Sequence, residues 1–313
     1  MDIFGSAANV TWRVLIIFSL ALFGVVARKC GFLREEARSS FADVMLNITV
    51  PPLIFVSMTT DMNWGRLAAG MAAPAIALGL IGLVSAGTLA LGKGLALRGD
   101  RLKTFRILCA MPNSGFIGYP VVLSIWGHRG LSYAVLYDSG TTIAFCSIAM
   151  MIMQSGRGRG DNWRNLLNPA LAAVVCGLLV NWAGIKIPAL ITAPLQIMGD
   201  ATVPLAMLLM GYILGGLKLR VATFNRELAV VCFFKLIIYP ALAYLIMLPF
   251  HLDPLVRTVI IVEAAMPSMA STTVLVEKFG GDGELAATGI LATTMLSVFT
   301  IPIIAFFLTL SQR

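Results

Sequence analysis

Runs of apolar residues, broken by short charged or Gly- and Pro-rich clusters, recur along the whole chain. Cut at those clusters, the pattern predicts ten membrane-crossing helices, at 10–28, 39–59, 67–92, 103–127, 130–154, 165–184, 200–217, 226–250, 254–277 and 284–310. Most approach or exceed the ~20 residues that a helix needs to cross the hydrocarbon core. Because backbone groups in lipid must be paired within the segment, an all-α integral membrane protein is the expected fold. The first run, Val14 to Ala27, leads into Arg28-Lys29 rather than a small-residue cleavage motif, and reads as a retained helix, not a signal peptide.

Composition strengthens this reading. Of 313 residues 58% are hydrophobic and 12% charged, with a mean hydropathy of +0.89, whereas soluble domains carry about 25% charged residues. Ten crossings leave no room for a soluble catalytic domain. A net charge of +8 would suggest a nucleic-acid partner in a soluble chain, but here it follows topology and no nucleic acid is expected. If the helices alternate, 16 Lys and Arg residues fall on one side and 6 on the other, with Lys235 inside a span. The positive-inside rule then puts the first side in the cytoplasm and both termini outside a plasma (inner) membrane crossed many times. Five cysteines, mostly in apolar runs and without metal-ligand spacing, read as small buried hydrophobes.

The chain carries an internal echo. Thr49-Val50-Pro51 matches Thr202-Val203-Pro204 at an offset of 153, Ala110-Met111-Pro112 matches Ala265-Met266-Pro267 at 155, and Thr141-Thr142 matches Thr293-Thr294 at 152. The basic, Gly-rich segment 155–164 lies between the halves as a cytoplasmic linker. Five crossings per half is an odd number, so 1–154 and 165–313 are expected to form two inverted five-helix repeats, an arrangement used by many secondary transporters.

Two crossings, the fourth and the ninth, cannot be continuous. Pro112, Asn113, Ser114, Gly115, Gly118 and Pro120 fall at the centre of the fourth, and Pro267 and Ser268 at the centre of the ninth. Proline removes a backbone donor and clashes with the preceding turn, so polar main-chain atoms are left free at mid-depth. They are tolerable only against protein or a water-filled cavity. Half-helix N-termini beyond such breaks attract anions, and unwound carbonyls coordinate cations. Pro112, Asn113, Ser114, Gly115, Pro267 and Ser268, with Asn47 beside the first Thr-Val-Pro motif, are the candidate substrate-binding residues.

The run Met111-Pro-Asn-Ser-Gly-Phe-Ile-Gly-Tyr-Pro120, the segment Leu46-Asn-Ile-Thr-Val-Pro-Pro-Leu-Ile-Phe55 and the stretch from Ala265-Met-Pro-Ser268 to Glu277-Lys-Phe-Gly-Gly281 resemble the auxin efflux carrier family, which includes plant auxin exporters and bacterial permeases often named for malonate. The resemblance implies a ten-helix fold shared with bile acid sodium symporters. In it, helices 1, 2, 6 and 7 form a scaffold, and helices 3–5 and 8–10 form a moving unit in which broken helices 4 and 9 cross. It also implies a homodimer. The order Glu263-Ala-Ala-Met-Pro-Ser268 is similar to the segment where those symporters place a sodium-binding glutamate, with Pro267 standing where an amide side chain belongs.

An ionisable group at mid-bilayer costs about 2.5–3.5 kcal/mol on insertion scales and needs a partner or a function. Glu263 and Asp138 are the candidate ion-coupling residues, and Lys235 is expected to pair with one of them or to attract an anion. A sodium site near Glu263, Ser114 and Thr142 is one option, a proton the other; no further cofactor is expected. Asp200 is expected to cap a helix end, while His128 and His251 fall in outer loops. The expected function is alternating-access transport of small organic anions, mono- or dicarboxylates, and not an enzyme activity. The alternatives are a sodium/proton antiporter, which usually needs adjacent acidic residues on one helix, and a membrane sensor without transport.

Overall fold

The structure, a computed structural model, describes residues 3–34, 37–60, 62–154, 168–216 and 225–311, with side chains over 11–34, 39–60, 62–154, 168–216 and 225–308. Among them every regular element is a helix, and one isolated antiparallel bridge joins Pro112 to Ser268. The linker at 155–164, with Arg157, Arg159 and Arg164, lies outside the described residues, as do Lys218, Arg220 and Arg313.

Among the described residues seven stretches are long and apolar enough to cross a membrane: Thr11–Lys29, Ser39–Thr59, Trp64–Gly94, Ser114–Gln154, Ala189–Gly216, Arg226–Met247 and Gly283–Leu308. Expectation and structure differ in number for stated reasons. The fourth predicted span divides into α6 (Gly99–Ala110) and a helical run that begins at Ser114. The ninth divides into α14 (Pro254–Ala264) and α15 (Thr272–Phe279). The sixth is α9 (Pro169–Trp182), whose 14 residues extend only about 21 Å. Conversely, the 41 residues of Ser114–Gln154 would reach about 60 Å if straight, twice the hydrocarbon thickness. They are two helices within α7 (Tyr119–Ala144) and its flanking turns, bent where Gly127 takes φ 63° and ψ −161°. A side chain would strain that backbone.

Among the described residues five helices start on an Asn or Asp whose side chain accepts a first-turn amide: Asn63 from Arg66, Asn168 from Leu171, Asn225 from Leu228, Asp253 from Leu255 and Asp282 from Leu285. These are ordinary N-caps, each replacing one orphaned donor's lost partner. Inside the spans, π-helical turns at Met45–Thr49, Ser114–Gly118 and Phe234–Ile238 each end one residue before the helix segment that carries Pro51 and Pro52, Pro120 or Pro240. The proline ring would strike the carbonyl four residues earlier, and widening that turn moves the carbonyl away. A fourth π turn, Phe145–Ala149, has no proline after it; there the Ser147 hydroxyl donates to the Ile143 carbonyl at 2.6 Å, a bond that also loosens a helix.

Four boundary and placement expectations change. The seventh span begins at Ala189, not 200: α10 (Ala189–Asp200) leads into α11 (Thr202–Gly216), and Pro194 is accommodated within α10. Asp200 therefore ends a helix rather than starting one, and its side chain is exposed. His128 is drawn inward beside the Gly127 bend, where its Nδ1 lies 3.1 Å from the Ser57 hydroxyl. Of the cysteines, Cys109 and Cys232 are buried, Cys146 is half-buried, and Cys30 and Cys176 are exposed.

Candidate functional site

The two breaks meet. After α6 ends at Ala110 and α14 at Ala264, the freed strands of backbone run antiparallel: the Asn113 amide donates to the Pro267 carbonyl at 2.9 Å and the Met269 amide to the Met111 carbonyl at 3.0 Å. Each break thus satisfies polar backbone atoms that the other leaves free, the requirement for non-helical backbone at membrane depth. Ser268 closes the crossing further, its hydroxyl donating to the Leu108 carbonyl at 2.7 Å and its amide to the Thr293 hydroxyl at 3.2 Å. Pro112, Pro267 and Ser268 are buried and serve the crossing itself.

Asn113, Gly115, Asp138, Thr142 and Asn47 face a common cavity of about 470 Å³ beside the crossing. Phe116, Phe145, Met150 and Met269 give it an apolar wall, while Asp43, Tyr119, Asn168 and Ser271 add polar groups. Among the described residues no Lys, Arg or His lines it. The helix restarting at Ser114 opens on this space, and first-turn amides have no acceptor inside their own helix. Asn113 is 1% exposed and its Nδ2 has no hydrogen-bond partner among the described residues. Orphaned donors of this kind are rare in buried positions.

Asp138 sits at the same helix start. Its Oδ1 accepts a short hydrogen bond from the Ser114 hydroxyl and its Oδ2 one from the Tyr119 hydroxyl at 2.8 Å. Tyr119 is the site residue that sequence reasoning passed over: it stands inside the quoted motif, but only folding brings it over a carboxylate 19 positions on.

Glu263 is fully buried, and neither carboxylate oxygen has a hydrogen-bond partner among the described residues. It packs directly on Gly118, where a Cβ would collide with the carboxylate, and it is near enough to Asp138 to feel its charge. Lys235 is buried too, but it forms no ion pair with Glu263 or Asp138 among the described residues. Its Nζ donates to the Ala264 carbonyl at 3.3 Å and lies 3.7 Å from the centre of the Tyr239 ring, so a peptide dipole and an aromatic face replace the expected carboxylate.

Around the crossing, Arg101 binds both Glu227 at 2.6 Å and Asp282 at 2.7 Å, tying the start of α6 to α12 (Arg226–Phe233) and to the loop before α16 (Gly283–Ser311). Arg129 pairs with Asp253 at 3.6 Å, tying the segment after the Gly127 bend to the start of α14.

Comparison with known proteins agrees with this architecture. A family model described as membrane transport protein matches residues 9–305. An uncharacterized transporter of Methanothermobacter thermautotrophicus is 31% identical over 94% of this chain and 96% of its own length. One of Methanocaldococcus jannaschii is 28% identical over 92% and 95%, and the uncharacterized transporter YfdV of Escherichia coli K12 is 22% identical over 93% and 94%. The chain belongs to the membrane transport protein family, that of the auxin efflux carriers, and is a multi-pass membrane transporter.

Proposed function

We propose that the protein carries small organic anions, mono- or dicarboxylates, by alternating access around the crossing of its two broken helices. The observation that carries this reading is the composition of the cavity: a half-helix N-terminus adjoins it, as does the Asn113 amide, which has no partner among the described residues, and no cationic side chain among the described residues lines it. A helix N-terminus supplies about half a positive charge and free N–H donors, enough to hold one carboxylate without burying a full cation. Asp43, Asp138 and the Phe116, Phe145 and Met269 surfaces leave a second carboxylate without a counter-charge, so a monocarboxylate with an apolar body fits better than a dicarboxylate.

Asp138 supplies the coupling. Ionised, it holds the Ser114 and Tyr119 hydroxyls and repels an arriving carboxylate; protonated, it loses that repulsion. An inside-negative potential favours anion exit by about 2.3 kcal/mol per charge per 100 mV, so export needs no co-ion, whereas uptake requires one. The Ser114 hydroxyl that donates to Asp138 keeps its lone pairs for a sodium ion shared with Glu263 and Thr142. A proton would sit on Asp138, with Glu263 as a second carrier behind Gly118.

In this account 1–154 and 165–313 are two inverted five-helix repeats making ten crossings, with helices 1, 2, 6 and 7 as scaffold and 3–5 and 8–10 as the moving unit. Support comes from the antiparallel pairing, which is centred between Pro112-Asn113 and Pro267-Ser268, residues equivalent at the offset of 155. With both termini outside, Asp43, Met150 and Asn168 lie at the cytoplasmic end of the cavity, an inward-facing state.

The test is flux into proteoliposomes of purified protein, comparing mono- and dicarboxylates of equal length. Saturable, potential-dependent movement of a monocarboxylate is expected; a protein that binds carboxylates but moves none is a sensor instead.

A further inference from the structure

A second cavity of about 470 Å³ runs along the outer flank of the molecule between α1 (Ile3–Lys29), α11 and α16, a volume within the range of ordinary ligand sites, about 300–1,000 Å³. Its walls are almost wholly apolar, from Leu15 and Leu22 on α1 to Met295 on α16, and these three side chains are exposed on the surface that faces hydrocarbon. One charged residue lines it, Lys29 at the last position of α1. Lys29 has no ion pair or hydrogen bond among the described residues. Leu15 and Lys29 stand 14 positions apart on one helix, about 21 Å, longer than the ~15 Å depth of one hydrocarbon leaflet.

We propose that this groove is a binding site for one anionic phospholipid, its acyl chain lying along α1 and its phosphate at Lys29. Charge complementarity selects the occupant: a long apolar slot that opens sideways to the bilayer and ends in an ammonium with no ion pair among the described residues matches a lipid whose headgroup keeps a net negative charge. The surroundings of the headgroup fit as well. Arg34 is exposed just beyond the helix, and Phe32 is 78% exposed, a basic and aromatic combination suited to the membrane interface. Arg28 turns away, its guanidinium 4.5 Å from the Tyr212 ring centre and bonded to the Tyr212 carbonyl, which leaves the groove to Lys29. In the orientation proposed above Lys29 stands in the cytoplasmic leaflet; the site itself does not depend on that orientation. The groove reaches inward to Ile117, in the turn that follows the fourth-span break, so an acyl chain there would touch both the flank and the crossing.

The experiment is native mass spectrometry of the full chain released from detergent containing phosphatidylglycerol or phosphatidylcholine with identical acyl chains. Wild type should retain one phosphatidylglycerol at least tenfold more strongly than phosphatidylcholine. Lys29→Gln should remove that preference, and Ser19→Phe, which fills the groove from α1, should reduce retention of both lipids. Equal retention of the two lipids by wild type, an annular lipid only, overturns the proposal, as does an undiminished preference in Lys29→Gln. Both variants alter exposed positions, and a monodisperse elution profile matched to wild type establishes that they fold. Retention is read without any transport assay, so its outcome is independent of whether the protein moves carboxylates.

Discussion

Thr202 donates its hydroxyl to the hydroxyl of Thr49 at 2.9 Å, and both residues are buried. They are the first residues of the two Thr-Val-Pro motifs, at the offset of 153. A residue that touches its own counterpart lies on the axis relating the two halves, so this bond supports the inverted repeat proposed above. Thr49 passes the bond on to the Met45 carbonyl at 3.2 Å. Removing the acceptor orphans a buried donor, whereas removing the donor does not, and orphaned donors are the costlier loss. Thr49→Val should therefore destabilise more than Thr202→Val, with a coupling of roughly 1 kcal/mol between them, read as thermal unfolding of the single and double variants in detergent.

The proposed inverted repeat makes the two ion-pair sites equivalent with the charges exchanged. Arg101 and Asp253 differ by 152 positions and Arg129 and Asp282 by 153, so under it Arg101–Asp282 and Arg129–Asp253 are one contact made twice with opposite polarity. Each joins residues of different halves, and together they brace the bundle that holds the crossing. Arg101→Asp should lower flux severalfold, and the exchange Arg101→Asp with Asp282→Arg should recover part of it, short of wild type because Glu227 then faces an aspartate. Arg129→Ala, at a longer and more exposed pair, should change stability by under about 1 kcal/mol.

At Gly118 the absence of a side chain makes room for Glu263. Gly118→Ala should destabilise by about 1–3 kcal/mol, the usual cost of overpacking, and abolish transport. Glu263→Ala added to it removes the collision and should restore thermal stability but not proton-driven accumulation.

Several of these features are readable in the sequence. Pro112 and Pro267 announce breaks because proline at the centre of a crossing has one physical consequence, and the Thr-Val-Pro echo is what suggests the proposed halves. Other features depend on tertiary contact. The amide and aromatic ring that receive Lys235 cannot be told from any other apolar neighbours in one dimension. Gln196 and Gly199 fall between the predicted spans, yet α10 runs through them because tertiary packing outweighs weak local propensity. His128 reads as a loop histidine until the Gly127 bend turns it toward Ser57.

For Asp138 the sign of the pH effect follows from competition with an anion. Protonation removes a negative charge from the site, so wild-type uptake of a monocarboxylate should rise as pH falls from 8 to 6. In Asp138→Asn, which keeps acceptor and donor capacity without the charge, uptake should lose most of that pH dependence and accumulation against a gradient should fail, while exchange persists. Parallel flux measurements at fixed potential across that range read both effects.

The central claim is that a carboxylate seats on the restarted helix at Asn113. Its most direct test is the transient current from purified protein in liposomes on a solid support when a monocarboxylate is added, wild type against Asn113→Leu, a near-isosteric change that removes the unpartnered amide. The account predicts a saturable current from wild type and none from the folded variant. An equal current from Asn113→Leu would contradict it.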